Sequence, residues 1–230
     1  MDEDALRLFK DSVLSIWQNC SKVPLVEKAN TMYNIGISYQ YLGNIIQAKQ
    51  YLDKALYIIE TDSSYPPEFL ADNYHGMGNF YQDQYDAFRS ELYYKNALNI
   101  YQKITGTAIL KFRLLNDLVT MYMDFKRYTE AKTYIEQAMD IYQKYPEDIA
   151  NYDLSLILLN AGITYFELEE YTLAWEKGQE ALKLISKKED PQNYSIALEL
   201  LAFIEAEENK FDDALHKMKD VINLRYGETS

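Results

Sequence analysis

The amino-acid sequence predicts an all-α fold, a solenoid built from antiparallel helix pairs, and four observations lead to it. The five prolines and Gly106 fall near positions 24, 66, 106, 146 and 191, so residues that begin or end helices recur about every forty residues. Between these positions apolar residues recur at three- and four-residue spacing, as at Leu52, Leu56 and Ile59. No stretch alternates with the period of two that strands require. Finally, a motif of small and apolar residues repeats along the chain with a similar period.

The repeated motif reads small-x-x-x-apolar-x-x-Ala, as in Ala48, Leu52 and Ala55. Its first residue, which we call the anchor, is small in every copy. The anchors are Ala5, Ala48, Ser90, Ala131, Ala174 and Ala214. Successive anchors are separated by 43, 42, 41, 43 and 40 residues, and the copy at Ala5 is only half a repeat. Self-similarity at a nearly fixed period is the signature of a repeat architecture.

A second motif, a small or apolar residue followed three positions later by tyrosine, precedes each full copy of the first. It appears as Gly36-x-x-Tyr39, Gly78-x-x-Tyr81, Val119-x-x-Tyr122 and Gly162-x-x-Tyr165, and it decays to Ala202-x-x-Glu205. Small residues let two helices approach closely, and a tyrosine ring fills the gap between them. The two motifs indicate that each repeat is a helix pair joined by a short turn, such as the turns at Gly43-Asn44 and Phe125-Lys126-Arg127.

These signals place the elements in order. A lone helix over 3–19 comes first, because only the second half of a repeat is present there. This helix is either an N-terminal cap or the remainder of a repeat in a longer solenoid. Five helix pairs follow near 25–60, 67–104, 107–144, 147–187 and 191–226, which gives about eleven helices in a single repeat domain over 1–230. The first helices start near Leu25, Pro67, Thr107, Glu147 and Pro191. The second helices start near Asn44, Asp86, Tyr128, Tyr171 and Phe211.

The two motifs resemble those of the tetratricopeptide repeat family, and the resemblance extends from Asp4 to about Arg225. That family has a usual period of about 34 residues. The period here, about 42 residues, is similar to that of long-helix members such as kinesin light chains and bacterial peptide-pheromone receptors. The resemblance implies a right-handed superhelix with a concave and a convex face. It also implies that the second, fifth, sixth and ninth places of each repeat, which lie on its first helix, line the concave groove.

Those places supply the candidate residues for binding a peptide or partner. They are Asn30, Tyr33, Asn34, His75, Asn79, Arg113, Asn116 and Asn160. A carboxamide carries a donor and an acceptor, so it can pair with the backbone of an extended peptide. In peptide-binding relatives an asparagine at the sixth place does this, and Asn34 and Asn160 match that place. The other sixth places hold Gly76, Asp117 and Leu200. The alternative is that the asparagines lie on a solvated helix face.

Charge indicates the kind of partner. The chain has 36 acidic and 23 basic residues, a net charge of −13, and residues 151–230 hold 16 acidic against 8 basic residues. Acids such as Glu167, Glu199 and Glu207 would attract a basic or amphipathic segment, unless they only keep a helix face solvated. Members of the family that bind chaperone tails clamp a carboxylate with lysine, asparagine and arginine. Arg113 is the only basic residue at the corresponding places, so we do not expect such a tail to bind.

No pattern for catalysis or cofactor binding occurs in the sequence. His75 and His216 are three repeats apart, and there is no zinc-spaced His/Cys cluster, phosphate loop or G-x-S-x-G motif. Cys20 is the single cysteine, the N-terminus is acidic where a targeting peptide is basic, and the most apolar stretch, 154–166, is too short to cross a bilayer. We therefore expect a cytoplasmic protein without metal or cofactor, which inserts into no membrane and, being acidic, binds no nucleic acid directly.

The sequence thus predicts a non-enzymatic scaffold or adaptor that holds a protein or peptide segment in its concave groove. An alternative is a peptide-binding sensor region of a larger signalling or transcription-regulating protein, because the half-repeat at the start and the lack of a capping helix after Arg225 fit a segment of a longer chain. An enzyme within the helical scaffold is a third interpretation and would need a carboxylate pair in a closed cavity. The apolar end of an uncapped solenoid could also join two chains as a homodimer.

Overall fold

Ten α-helices in five antiparallel pairs run through residues 23–61 and 65–227 of the computed structural model, which also describes residues 11–13 and 15. The first helices are α1 (Leu25–Tyr41), α3 (Pro67–Asp83), α5 (Ala108–Asp124), α7 (Asn151–Glu167) and α9 (Pro191–Glu207). The second helices are α2 (Ile45–Thr61), α4 (Ala87–Tyr101), α6 (Tyr128–Lys144), α8 (Tyr171–Leu184) and α10 (Phe211–Tyr226). No strand occurs among the described residues, so the predicted all-α class is confirmed.

The predicted lone helix over 3–19 lies largely outside the described residues. Positions 11–13 and 15, which are described, are helical.

Prolines begin two of the first helices, since Pro67 and Pro191 occupy the first turns of α3 and α9. Their missing N–H groups would have no partner within a first turn, so proline is tolerated there. Pro146 behaves differently. Residues Pro146–Asp148 form a 3-10 turn, and α7 begins at Asn151 rather than near Glu147, because the backbone is extended at the intervening buried Ile149.

Two second helices end earlier than the sequence predicts. α4 ends at Tyr101, before the expected end near 104, because the next residues form tight turns with hydrogen bonds from Lys103 and Ile104 to carbonyls three residues back. α8 ends at Leu184, before the expected end near 187. There Ile185 takes an extended conformation that buries its side chain.

The turn inside each pair has the same conformation in all five repeats. One residue has a positive φ at the same place each time: Gly43, Tyr85, Lys126, Glu169 and Asn209. In the first repeat the N–H of Gly43 bonds to the carbonyl of Gln40, and the N–H of Asn44 bonds to the carbonyl of Tyr39, at 2.9 Å each. The other four turns repeat this pair of bonds. This is a Schellman motif, which satisfies carbonyls at a helix end and favours glycine at the left-handed position.

Small residues allow the two helices of a pair to pack closely. The anchors Ala48, Ser90, Ala131 and Ala174 are fully buried. The Ser90 hydroxyl donates to the carbonyl of Gly78 at 3.0 Å, which joins α4 to α3. A Cβ on Gly78 would collide with the ring of the buried Tyr94, so glycine is required there.

A pair of stacked tyrosines joins the two helices in each of the first three repeats. The centroid distances are 5.8 Å for Tyr39–Tyr51, 5.5 Å for Tyr81–Tyr93 and 5.3 Å for Tyr122–Tyr134. In the fourth repeat the second tyrosine is replaced by Lys177. In the fifth, Glu205 and Lys217 stand at the two places and form an ion pair.

The contacts divide the chain into two compact units, with the boundary between Gly106 and Thr107. The first unit contains α1 to α4, and the second contains α5 to α10. That residues 1–230 form a single repeat domain therefore stays a prediction. Within the described ranges, no helix has both the length and the apolar character needed to cross a membrane.

Candidate functional site

Within each unit, neighbouring first helices contact each other, and the predicted groove residues lie on these helices. α1 contacts α3 in the first unit, while α5 contacts α7 and α7 contacts α9 in the second. The fifth place of one first helix faces the sixth place of the next. This cross-repeat position holds Tyr33 and Gly76 in the first unit, and Asn116 and Asn160 in the second. We call each such pair a rung.

The asparagine rung is the most polar part of the predicted groove. Asn160 Nδ2 donates to Asn116 Oδ1 at 3.0 Å and to Thr120 Oγ1 at 3.3 Å. The Thr120 hydroxyl in turn donates to the backbone carbonyl of Asn116 at 3.1 Å. Both asparagines are half-buried. Among the described residues, nothing hydrogen-bonds Asn116 Nδ2 or Asn160 Oδ1, so the rung keeps one donor and one acceptor for a ligand.

Arg113 lies one turn before Asn116 on α5 and binds a carboxylate of its own chain. Its Nε and Nη2 donate to Oδ1 and Oδ2 of Asp153 on α7, at 2.7 and 3.0 Å. The Asp153 side chain is 9% exposed and that of Arg113 is 55% exposed. The hydrogen bond to Asp153 raises the pKa of Arg113. Asp153 is outside the four groove places of the family pattern, which is why sequence reasoning missed it.

The rung of the first unit is aromatic. A Cβ on Gly76 would occupy the space filled by the ring and hydroxyl of Tyr33, so glycine at this sixth place makes room for that ring. Burial, with the charge of Asp72, raises the pKa of Tyr33 to about 12. The hydroxyl of Tyr101 on α4 donates to Asp72, and burial together with this bond raises the pKa of Tyr101.

The remaining predicted residues also lie in the first unit. Asn79 Oδ1 accepts a hydrogen bond from the buried Tyr94 hydroxyl at 2.6 Å, and the His75 ring meets the Tyr94 ring with a centroid distance of 5.8 Å. Both therefore surround a core tyrosine. On α1, Asn30 is half-buried and Asn34 is exposed, and within the described part of the chain neither carboxamide forms a hydrogen bond. That the eight residues bind a ligand stays a prediction.

The structure also contains an open cleft in the last repeat. Its volume is about 380 Å³, and it is lined by Pro191, Gln192, Ser195, Ile196, Leu224 and Arg225. The guanidinium of Arg225 is already bound to Glu199, with Nη2 2.6 Å from Oε2, and to the Ser195 hydroxyl at 3.1 Å. In the described ranges no three His, Cys, Asp or Glu side chains cluster as metal ligands would.

Comparison with known proteins identifies the repeat. Residues 29–62 and 113–145 each match a family model described as tetratricopeptide repeat. No curated protein matches the chain.

Solved structures show the same fold. The chain is similar to BtubC (BKLC) from P. vanneervenii, with a TM-score of 0.81 and 16% identity over 97% of this chain and 90% of that one. It is similar to the apo form of RapI, with a TM-score of 0.76 and 16% identity over 99% of this chain and 60% of RapI. It also resembles the apo form of the quorum sensor NprR from B. thuringiensis, with a TM-score of 0.71 and 15% identity over 97% of this chain and 61% of that one.

The helix pairs in register, the two matching segments and the shared fold agree with one another. The chain is therefore a helical-repeat solenoid of the tetratricopeptide-repeat type, with two segments that match models of that family.

Proposed function

We propose that the protein is a non-enzymatic adaptor that holds an extended segment of a partner protein against the first helices of its second unit. The observation that carries this proposal is the asparagine rung, Asn116 with Asn160. Its internal hydrogen bonds fix both carboxamides and leave one donor and one acceptor unused among the described residues.

The chemistry of the rung fits a peptide backbone. Each residue of an extended segment presents one N–H donor and one carbonyl acceptor. Asn116 Nδ2 would donate to a carbonyl, and Asn160 Oδ1 would accept from an N–H. Because Thr120 and the rung itself hold the carboxamides in place, little side-chain freedom is lost on binding, which favours affinity. Backbone pairing of this kind is independent of the ligand's side chains.

Residues beside the rung limit the kinds of segment that can bind there. The Arg113 guanidinium is bound to Asp153, so it does not offer a free clamp for a terminal carboxylate. Leu156 and Ile163 flank Asn160 on α7, and both are half-buried. A segment with apolar side chains next to the clamped backbone would contact them.

The test uses the double variant Asn116→Ala with Asn160→Ala, and Asn99→Ala, an exposed asparagine of the second helix α4, as the matched control. Partners captured from a lysate of the source by the unaltered chain are identified by mass spectrometry, and their affinities are then measured with purified proteins. Loss of two net hydrogen bonds, about 1–3 kcal/mol, weakens binding roughly 5- to 150-fold. Asn99→Ala should leave binding unchanged. A partner that binds the double variant and the unaltered chain equally contradicts the proposal.

A second candidate function is a peptide-responsive sensor region of a larger protein. Its support is the likeness to the quorum sensor NprR, of whose length the chain spans 61%. Sequencing the gene around this segment tests it: an effector domain in the same reading frame favours the sensor, and flanking stop codons contradict it. Location in the cytoplasm and pairing of two chains through their ends stay predictions.

A further inference from the structure

Three aromatic rings form an accessible patch where the fourth and fifth repeats approach their turns. Phe166 on α7 lies with its ring centroid 5.6 Å from that of Tyr171 on α8 and 6.3 Å from that of Phe203 on α9. Phe203 is 47% exposed, and the other two rings are half-buried. We call these three residues the aromatic patch.

The patch is not a feature that the repeat requires. The places equivalent to Phe203 hold Ile37, Asn79, Thr120 and Ile163. The places equivalent to Phe166 hold Gln40, Gln82, Met123 and Ala206. Two contacting phenylalanines at these places occur only in the last two repeats. The other helix pairs pack without phenylalanine at these places, so the core does not require these rings. Accessible aromatic clusters of this kind mark interaction sites.

Carboxylates without basic partners surround the patch. Glu167, Glu169 and Glu207 are exposed, and within the described residues none of them forms an ion pair with lysine or arginine. Partial burial, followed by the charges of Glu207 and Glu169, raises the pKa of Tyr171. Burial, followed by the charge of Glu167 and a hydrogen bond with it, raises the pKa of Tyr128, the first residue of α6.

Two neighbouring acidic residues do form ion pairs with lysine. Glu170 accepts hydrogen bonds from Lys132 at 2.7 and 2.8 Å, and Glu208 accepts one from Lys210 at 2.6 Å. The chain therefore neutralises some acids at these turns and leaves Glu167, Glu169 and Glu207 uncompensated. The uncompensated charge belongs to residues next to the aromatic patch along the chain, where a cationic group would complement it.

We infer that the aromatic patch and these three carboxylates bind a cationic amphipathic segment of a partner protein, with an arginine or lysine placed over the rings and apolar side chains beside them. This inference rests on the proposed function, since it names the chemistry of the segment that the adaptor holds.

In this arrangement the aromatic rings and the three carboxylates contact different groups of the segment. A guanidinium can stack on a Phe or Tyr face while its N–H groups bond to carboxylates at the rim. The apolar neighbours of the cation would cover the remaining surface of Phe203. Either feature by itself would bind weakly. A purely apolar peptide would leave the carboxylates unpaired, and a purely basic peptide would leave the rings exposed to water.

The experiment measures fluorescence anisotropy with a labelled peptide of Arg-Leu-Ser triplets. Two comparison peptides carry glutamate in place of arginine, or serine in place of leucine. The protein variants are Phe203→Ala and the double variant Glu169→Gln with Glu207→Gln. The matched controls are Phe88→Ala, an exposed ring of the first unit, and Glu147→Gln, an exposed carboxylate of the 3-10 turn. All substituted side chains are on the surface, and thermal unfolding checks that each variant is folded.

We expect the Arg-Leu-Ser peptide to bind. Phe203→Ala, and the double variant Glu169→Gln with Glu207→Gln, should each lower its affinity about tenfold, as for loss of a cation–π contact or of two charge contacts. Added salt should weaken it further. The controls should match the unaltered chain. Equal affinity of all variants overturns the inference, as does equal binding of the glutamate peptide. A dimer that Phe203→Ala dissociates in sedimentation also overturns it, because a second copy then covers the patch.

The Asn116→Ala, Asn160→Ala variant separates this inference from the proposed function. If peptide binding depends on the asparagines and not on Phe203, the adaptor function stands and the patch inference is wrong. If it depends on Phe203 and not on the asparagines, the patch inference stands and the asparagine rung is not the clamp.

Discussion

Lys217 and Glu205 form an ion pair at the place where each of the first three repeats stacks two tyrosines. The Glu205 side chain is 6% exposed, its Oε1 accepts a hydrogen bond from Lys217 Nζ, and its Oε2 is buried without a partner among the described residues. The Lys217 ammonium also lies 5.7 Å from the centroid of the Trp175 ring. The last repeat therefore uses a buried charge pair for a packing task that aromatic rings perform elsewhere.

The first prediction concerns the ion pair between Glu205 and Lys217. Lys217→Met removes the cation and leaves Glu205 buried and unpaired, which should lower the free energy of unfolding by about 3 kcal/mol. The double variant Glu205→Tyr with Lys217→Tyr restores the stack of the earlier repeats and should recover most of that loss, since well-packed replacements of buried ion pairs are often neutral or stabilising.

Urea unfolding followed by circular dichroism measures both variants. Lys210→Met, which breaks an exposed pair with Glu208, is the matched control and should leave the midpoint unchanged. A single Lys217→Met variant as stable as the unaltered chain would show that the Glu205 carboxylate is solvated in the folded protein.

The second prediction concerns the left-handed residue of the turn in the third repeat. Lys126 has φ of 56° in a Schellman motif, a conformation that strains any residue with a Cβ. Lys126→Gly should therefore raise the free energy of unfolding by about 1 kcal/mol, although glycine also gains freedom in the unfolded chain. Gly43→Ala, at the equivalent turn of the first repeat with φ of 73°, should have the opposite effect. Stability changes of the same sign in both variants would contradict this account.

The sequence predicts the repeat and its helix pairs, but not the backbone conformation of the turn inside each pair. The anchors and the tyrosine motif recur in the sequence because each repeat must bury the same helix faces, so the period and the helix pairs could be inferred directly. The positive φ at Tyr85 and Glu169 could not be inferred, because these residues rarely take it. There the geometry is imposed by the packing of the two helices, which outweighs local preference.

The sequence predicts which residues form the candidate site, but not which of them hydrogen-bond to one another. The sequence predicts Asn116 and Asn160 separately, each as a member of its own repeat. They bond to each other because the fifth and sixth places of successive repeats face one another. Asp153 was missed because its importance depends on Arg113, a residue 40 positions away. Contacts of this kind depend on how repeats stack, and the period alone does not specify that.

The third prediction is a change of stability at high pH. The pKa of Tyr33 is raised from 10.0 to about 12 by burial and by the charge of Asp72, so the folded protein holds this proton more tightly than the unfolded chain. The stability from this difference is fully present below pH 10 and is lost as the pH rises toward 12.

Tyr33→Phe removes the titrating hydroxyl and should reduce the slope of unfolding free energy against pH in that window. Tyr57→Phe is the control, because Tyr57 is 68% exposed and does not contribute to the raised pKa of Tyr33. The measurement is urea unfolding at several pH values. Equal slopes for Tyr33→Phe and the unaltered protein would contradict the assigned burial of the Tyr33 hydroxyl.

The fourth prediction distinguishes the two members of the Arg113–Asp153 pair. Asp153 is buried whereas Arg113 is more than half exposed, so the two truncations leave different groups behind. Arg113→Met leaves a buried carboxylate without its cation and should lower the free energy of unfolding by about 1–2 kcal/mol, a value reduced by the exposure of the arginine. Asp153→Ala leaves a guanidinium that water can solvate, and it should cost less. If Asp153→Ala destabilises more than Arg113→Met in urea unfolding, the carboxylate is held by contacts other than the arginine.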